Sequence, residues 1–205
     1  MPTNRMDKLR SAILAKARNR AGDQGWSEDM LLAAARDAGI GRDDLALAFP
    51  DGVFALLRHF CTQGDREMAA ALKDHPLEDM RIRDRVALGV LTRIDVDRDF
   101  KPAVRQAVTA FSQPRFAALG LGALYDTADA IWCAIGDDAR DYNRYTKRTI
   151  LAGVYGATIM VWLSDQTEDL AKTRPFLDAR IENVMQFEKA KAGFAELFGH
   201  GFQRR

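Results

Sequence analysis

The chain has 205 residues, of which 47% are hydrophobic and 29% are charged, a composition typical of a soluble globular protein with a sizeable core. Lys and Arg number 30 against 29 Asp and Glu, so the net charge of +1 gives no general argument for a nucleic-acid partner. Cys61 and Cys133 are the only cysteines, too few and too far apart to indicate a disulfide framework or a zinc site.

Helical periodicity dominates the first part of the chain. Ser27 and Asp51 are suitable N-cap residues, while Gly39 and Pro50 are typical of helix ends. The third predicted helix is short, and the fourth is long. The four predicted helices cover residues 4–21, 27–38, 42–49 and 51–75.

Three short helices, a turn containing glycine and a long helix resemble the head of TetR-type regulators. The segment AAARDAGIGRDDLALAFPDGVFALL resembles their sequence pattern. A recognition helix that reads DNA presents basic or polar side chains to the major groove. Here it carries Arg42, Asp43 and Asp44, followed mainly by Leu and Ala, so two carboxylates would face phosphates. We interpret residues 1–50 as a helix-turn-helix fold without the DNA function. The alternative, a ligand-responsive TetR-type repressor, is supported only by the basic face of the first helix.

Further helices are predicted after residue 80, and no alternating strand pattern or repeat occurs. Pro102 fits the first turn of the sixth helix, and Pro114 separates that helix from the seventh, which ends at Gly136. The remaining predicted helices cover residues 81–95, 99–112, 149–164 and 169–187, and the seventh helix follows a stretch of small and apolar residues at 116–124. The sequence therefore predicts an all-α bundle of about nine to ten helices.

Residues 149–164 (TILAGVYGATIMVWLS) carry no charge. A helix that is apolar all round must be surrounded by protein or must line a cavity. Its length would be about 24 Å, short of the roughly 30 Å hydrocarbon core of a bilayer. We therefore predict a buried central helix rather than a membrane span.

The second half of the chain carries an ordered series of motifs. They are Asp129-x-x-Trp132, Gly136-Asp137, residues 141–148 (DYNRYTKR), residues 151–155 (LAGVY) and residues 176–180 (FLDAR). Together they resemble the signature of the COQ9 family, the lipid-binding accessory proteins of ubiquinone biosynthesis. One clear departure is Arg144, where members of that family often carry Trp.

The resemblance implies a TetR-like fold and a non-catalytic protein. It also implies that the protein binds an isoprenoid quinone precursor or a phospholipid and presents it to the di-iron hydroxylase of the pathway at the membrane surface. In TetR-like architectures the last two long helices pair across a two-fold axis, which implies a homodimer. The alternative is that both faces of these helices belong to the core of a single chain. The implied contact patch for the hydroxylase consists of Asp129, Tyr142, Tyr145 and Arg148.

Catalytic patterns are missing from the sequence. The three histidines lie on separate segments without metal-ligand spacing, and the serines have no nucleophile-elbow context. Gly120-Leu121-Gly122 lacks the strand that precedes a phosphate-binding loop. The cluster of Asp137, Asp138 and Asp141 is better explained as a capping loop than as a catalytic pair. We predict no enzymatic activity, no cofactor and no metal.

The apolar inner faces of the fifth to eighth helices predict either a solid core or the wall of a lipid tunnel. Periodicity does not separate these alternatives, and the family resemblance favours the tunnel. The residues predicted to contact lipid are Leu88, Leu91, Phe111, Phe116, Leu119, Leu124, Trp132, Val154 and Thr158.

The last segment, residues 188–205, is predicted to be an amphipathic helix on the membrane surface, with docking on the protein body as the alternative. Its predicted membrane-binding residues are Phe194, Leu197, Phe198 and Phe202. The predicted domains are therefore the head (1–50), the body (51–187) and this helix. The first residues carry neither a secretion signal nor an Arg-rich transit extension. We expect a cytoplasmic protein on the inner face of a bacterial inner membrane, or a processed chain on the matrix side of the mitochondrial membrane.

Overall fold

A computed structural model of the protein describes residues 5–137 and 142–199. Over these ranges the chain forms nine α-helices and two 3-10 turns and contains no strand, which confirms the all-α prediction. The helices are α1 (Arg5–Gln24), α2 (Glu28–Asp37), α3 (Arg42–Ala48), α4 (Gly52–Leu72), α5 (Ile82–Val96), α6 (Lys101–Phe111), α7 (Pro114–Ala134), α8 (Tyr142–Ser164) and α9 (Thr173–Gly199).

The two predicted N-caps have different outcomes. The Ser27 hydroxyl accepts a hydrogen bond from the Met30 backbone N–H at 3.2 Å, which confirms the cap of α2. Asp51 occupies the N-cap position of α4 but makes no side-chain hydrogen bond there. The Val53 N–H instead donates to Glu28 Oε1 at 2.9 Å. The predicted Asp51 cap is therefore wrong, because a carboxylate from another helix takes its place.

The head and the body share one continuous hydrophobic core. α1 packs along α6, and the Trp26 indole N–H donates to the Ala103 carbonyl oxygen at 3.0 Å. A Cβ at Gly22 would lie 2.8 Å from the Pro102 Cβ, so glycine permits this close approach. The predicted boundary at residue 50 therefore does not separate two cores.

α9 begins at Thr173, four residues after the predicted start, because Asp165 organises the preceding turn. Asp165 Oδ1 accepts from the Thr167 hydroxyl at 2.6 Å, and Oδ2 accepts from the Thr173 N–H at 2.9 Å. These hydrogen bonds, first that of the Thr167 hydroxyl, hold the pKa of Asp165 well below its ordinary value. α9 then continues to Gly199, so the predicted boundary between residues 187 and 188 falls inside one helix.

α8 is buried on one side only. Leu151, Tyr155 and Trp162 belong to the core, whereas Met160 is 57% exposed and a Cβ at Gly153 would meet open space. Burial on all sides, as predicted for this helix, is therefore not achieved within a single chain. Among the described residues no single helix is long and apolar enough to cross a bilayer, and α3 with α4 reaches that length and composition only as a pair bent by 57°.

Candidate functional site

An apolar cavity of about 470 Å³ lies between α4, α5, α6, α7 and α8. We call it the inner cavity. Its wall includes Phe111 from α6, Leu124 from α7 and Ile159 from α8. Leu121 and Met160 also line it and are 70% and 57% exposed, so we place its opening beside them. This wall is the kind of surface that accepts a hydrophobic ligand.

Small residues create this space. Ala107, Ala117 and Ala123 line the cavity with short side chains. Gly120 lies against Phe111, where an added Cβ would approach the Phe111 Cβ to 2.7 Å. α6 and α7 are therefore closely packed at one point, while the alanines leave volume unfilled beside it.

Buried polar groups also line this cavity, among them Arg93, Asp97 and Thr127. Arg93 is 3% exposed and donates from Nε to Asp65 Oδ1 at 2.8 Å and from Nη1 to Asp97 Oδ2 at 2.5 Å. The Thr127 hydroxyl donates to Asp65 Oδ1 at 2.9 Å. A Cβ at Gly64 would lie 2.4 Å from Arg93 Nη2, so the guanidinium needs a glycine there. We call Asp65, Arg93, Asp97 and Thr127 the Arg93 cluster.

Burial dominates the electrostatics of this cluster and its neighbours. Desolvation raises the pKa of Asp65, and the adjacent Arg93 charge only partly opposes it. Desolvation also raises the pKa of the Cys61 thiol to about 12 and raises the pKa of the Tyr155 hydroxyl. Cys61 and Tyr155 therefore face the inner cavity as neutral groups.

A second cavity, of about 600 Å³, lies between α5, α7, α8 and α9. We call it the outer cavity. Val86, Leu151 and Ile181 belong to its wall, and two cations at its edge are already paired. Arg83 contacts Glu182 at 2.9 Å, and Lys147 contacts Asp137 at 2.8 Å. This cavity therefore offers apolar surface with few free charges.

The nine residues predicted to contact lipid do not form one tunnel. Phe111 and Leu124 line the inner cavity, and Trp132 and Val154 line the outer one. Leu119 lines a smaller pocket of about 190 Å³. The other four pack in or against the core, and they are Leu88, Leu91, Phe116 and Thr158. Phe116, for example, is fully buried with its ring 4.2 Å from that of Phe54.

The predicted partner patch is only partly at the surface. Tyr145 is 63% exposed, and the Asp129 side chain is about one-third exposed. Arg148 is 1% exposed, because its guanidinium donates to Asp129 and, at 3.3 Å, to Asp137 Oδ2. It joins α8 to the end of α7 and is not an exposed contact residue. The side chain of Tyr142 lies outside the described residues.

The predicted membrane-binding residues are not described at side-chain level. Phe194, Leu197 and Phe198 lie within α9, but their side chains fall outside the described residues, as does Phe202 altogether. Membrane binding by this segment stays a prediction.

Sequence reasoning missed the Arg93 cluster. Arg93 and Asp97 were visible as an oppositely charged pair four residues apart at the end of the fifth predicted helix, a spacing that is usually solvent-exposed. Asp65 lies 28 residues away on α4, and nothing in the periodicity brought it to the same place. Gly64 beside Asp65, within a long helix, was the available signal for a close approach.

The surface of α3 does not resemble a DNA reader. Asp43 and Asp44 occupy its first turn, and Asp44 accepts a hydrogen bond from Arg5 at 2.8 Å. Leu47 is 64% exposed on the same helix. Within the described residues, no group of three His, Cys, Asp or Glu side chains could hold a metal ion.

The sequence is similar to a known protein family and to individual members of it. The sequence profile of the COQ9 family matches residues 117–188. The mitochondrial ubiquinone biosynthesis protein COQ9 of Drosophila melanogaster is 27% identical over 98% of this chain and 62% of its own length. The corresponding COQ9-B protein of Xenopus laevis is 29% identical over 87% of this chain and 63% of its own. The chain thus spans about three fifths of these relatives.

A solved structure confirms the fold. The crystal structure of a TetR transcriptional regulator from Nitrosomonas europaea superposes with a TM-score of 0.68, covering 86% of this chain and 97% of that one at 17% identity. The chain is therefore similar in sequence to the COQ9 proteins and has a TetR-like all-α fold, and the resemblance predicted from its motifs is confirmed.

Proposed function

We propose that this chain is a non-catalytic lipid-binding accessory protein of ubiquinone biosynthesis, and that the inner cavity holds its lipid. The observation that carries the proposal is the cavity itself, about 470 Å³ of apolar space that opens beside the exposed Leu121 and Met160. Its relatives are named for ubiquinone biosynthesis, a pathway whose intermediates carry isoprenoid tails. An apolar tail matches this wall.

The partner in this proposal is the di-iron hydroxylase of the pathway. Tyr145 supports it, since an exposed aromatic residue at the surface is enriched at protein interfaces. Arg148 would act indirectly, by fixing the first turns of α8 against α7 through Asp129 and Asp137. The C-terminal part of α9 would bring the protein to a membrane surface on the matrix or cytoplasmic side.

The alternative function, a TetR-type repressor, has less support. The likeness to a TetR regulator at 17% identity concerns the fold. The acidic first turn of α3 would repel DNA phosphates, and the exposed Leu47 is not a base-reading side chain. Salt-dependent binding of duplex DNA by the purified protein would favour the repressor.

Filling the inner cavity tests the proposal. Val108 lines the cavity, whereas its neighbour Thr109 on α6 is exposed, so Val108→Trp and Thr109→Trp place the same side chain inside and outside. The experiment measures uptake of a fluorescent prenyl lipid and co-purifying lipid by native mass spectrometry. We expect Val108→Trp to abolish uptake while Thr109→Trp binds as wild type.

The melting temperature serves as the control, since the cavity leaves room for the indole and both variants should remain folded. If wild type takes up no prenyl lipid, or if folded Val108→Trp takes it up unchanged, the inner cavity is not the lipid site.

A further inference from the structure

One buried oxygen in the Arg93 cluster has no partner. Asp97 is 3% exposed and lines the inner cavity. Its Oδ2 accepts from Arg93, but its Oδ1 makes no hydrogen bond within the described part of the chain. A buried carboxylate oxygen without a donor is costly, and native proteins rarely keep one. A ligand that supplies a donor would remove that cost.

The charges around Asp97 restrict the kind of hydrogen-bond donor that a ligand can bring to it. Asp65 and Asp97 face one guanidinium, so the cluster contains more acceptor capacity than Arg93 and Thr127 supply. An ammonium group would also donate, and the excess of carboxylates would attract it, but moving an ammonium from water into this apolar cavity carries a large desolvation cost. A neutral hydroxyl donor avoids most of that cost.

Tyr155 supplies the complementary group. It is 6% exposed and lines the same cavity, and its hydroxyl stays protonated because desolvation raises its pKa. The wall of the cavity thus includes one residue with a free acceptor, Asp97, and one that carries a hydroxyl donor, Tyr155. A ligand hydroxyl both donates and accepts, whereas an ether only accepts and an ammonium only donates.

We propose that the inner cavity binds a lipid with a hydroxyl head group, head inward, with that hydroxyl donating to Asp97 Oδ1. The apolar tail then runs along Phe111 and Leu124 towards the opening at Leu121 and Met160. This inference rests on the proposed function, because it names the head group and orientation of the lipid held in the same cavity.

The experiment compares three probes that share one tail, namely farnesol, its methyl ether and farnesylamine. Dissociation constants are measured by displacement of a fluorescent lipid from the wild-type protein. A hydrogen bond to a buried charged acceptor corresponds to a preference for farnesol over the ether of about 10-fold or more. We expect that preference, with farnesylamine weaker than farnesol.

Two matched variants at the C-terminal end of α5, at Asp95 and at the C-cap residue Asp97, locate the acceptor. Asp97→Asn gives the amide a donor of its own, so the preference for farnesol should fall to about 3-fold or less, since the amide can then donate to the ether oxygen. Asp95→Asn removes the same charge from a side chain that is 63% exposed, and it should keep the wild-type preference. The wild-type comparison alone decides the matter if Asp97→Asn fails to fold.

Each outcome separates the two proposals. Equal, tight binding of alcohol and ether by wild type overturns the head-group inference and leaves the lipid cavity intact. Tighter binding of farnesylamine overturns the hydroxyl assignment, and an unchanged preference in folded Asp97→Asn overturns the role of Asp97. If none of the probes binds, both this inference and the proposed lipid site fail.

Discussion

Arg148 and Arg93 are both buried and both paired with carboxylates, but they have different roles in the structure. Arg148 is 1% exposed and joins α8 to Asp129 and Asp137 near the end of α7. Arg93 is 3% exposed and joins α5 to Asp65 on α4. Each guanidinium faces two carboxylates. The difference is that the oxygens of Asp137 contact Lys147 and Arg148, whereas one oxygen of Asp97 has no donor among the described residues.

The surroundings explain the difference. Asp129 is one-third exposed, so water can complete its hydrogen bonding. The group formed by Arg148, Asp129 and Asp137 therefore needs no further partner. The Arg93 cluster lies at the end of an apolar cavity, where a missing partner leaves a cost. A buried arginine whose carboxylate partners are fully satisfied is thus a structural joint, whereas Asp97, which keeps an unpartnered oxygen beside a cavity, marks a candidate ligand site.

The largest expected effect is that of Arg93→Met. Removing the guanidinium leaves two carboxylates buried at the cavity end, which corresponds to a loss of about 3–5 kcal/mol in the free energy of unfolding. Urea denaturation measures it. Adding Asp65→Asn and Asp97→Asn should recover part of the loss, because the uncompensated charges disappear. A stable single variant would show that Arg93 is not needed to compensate them.

Arg148→Met should cost less, about 2–3 kcal/mol, since Asp129 can rehydrate at the surface. The same denaturation series gives the value, and prenyl-lipid uptake should persist in the folded variant. Loss of uptake without loss of stability would contradict the assignment of Arg148 as a structural joint.

The variants Asp137→Asn and Asp97→Asn test whether Asp97 has fewer hydrogen-bond partners than Asp137. In Asp137→Asn the new amide N–H₂ would face Lys147 or Arg148, so one charge-assisted hydrogen bond is lost. In Asp97→Asn the amide oxygen still accepts from Arg93, and the N–H₂ takes the unpartnered position. We expect Asp137→Asn to be less stable than Asp97→Asn by about 1 kcal/mol in chemical denaturation. The reverse order would mean that Asp97 is as fully paired as Asp137.

The smallest expected effect is a difference in how Asp65 and Asp129 change the stability of the protein at acid pH. Desolvation raises the pKa of Asp65 above 3.8, so its contribution to stability falls as pH rises from 3.8 through its folded value. For Asp129, desolvation is outweighed by Arg148, and its pKa lies below 3.8. The stability from Asp129 is present above 3.8 and is lost as pH falls through its folded value.

Carboxyl-carbon NMR titration measures both groups in one sample. Asp65 should titrate at higher pH than Asp129. In Asp65→Asn the protein should no longer lose stability as pH rises through the folded pKa of Asp65. Coincident midpoints would contradict the contrast between the two clusters.

The fold was largely predictable because local signals set it. The Ser27 cap placed the start of α2, and the break at Gln113 and Pro114 placed the end of α6. The start of α9 was misplaced because Asp165 holds residues 167–173 through side-chain hydrogen bonds, which periodicity does not register.

The candidate site was less predictable because it depends on non-local packing. Periodicity identified Phe111 and Leu124 as apolar inner residues, but the space between them depends on short side chains such as Ala107 on a neighbouring turn. The Arg93–Asp65 pair depends on how α4 and α5 meet. Arg148 was singled out as part of the family motif, yet its burial became apparent only in three dimensions.

Photo-crosslinking can show whether a lipid tail occupies the inner cavity. A farnesol analogue with a diazirine at the tail end, bound to wild-type protein, is irradiated, and the labelled peptides are identified by mass spectrometry. We expect labelling at Leu121 and Met160, beside the opening of the inner cavity, and none in the Val108→Trp variant. Labelling confined to the outer cavity around Ile181, or equal labelling in the filled variant, would contradict this expectation.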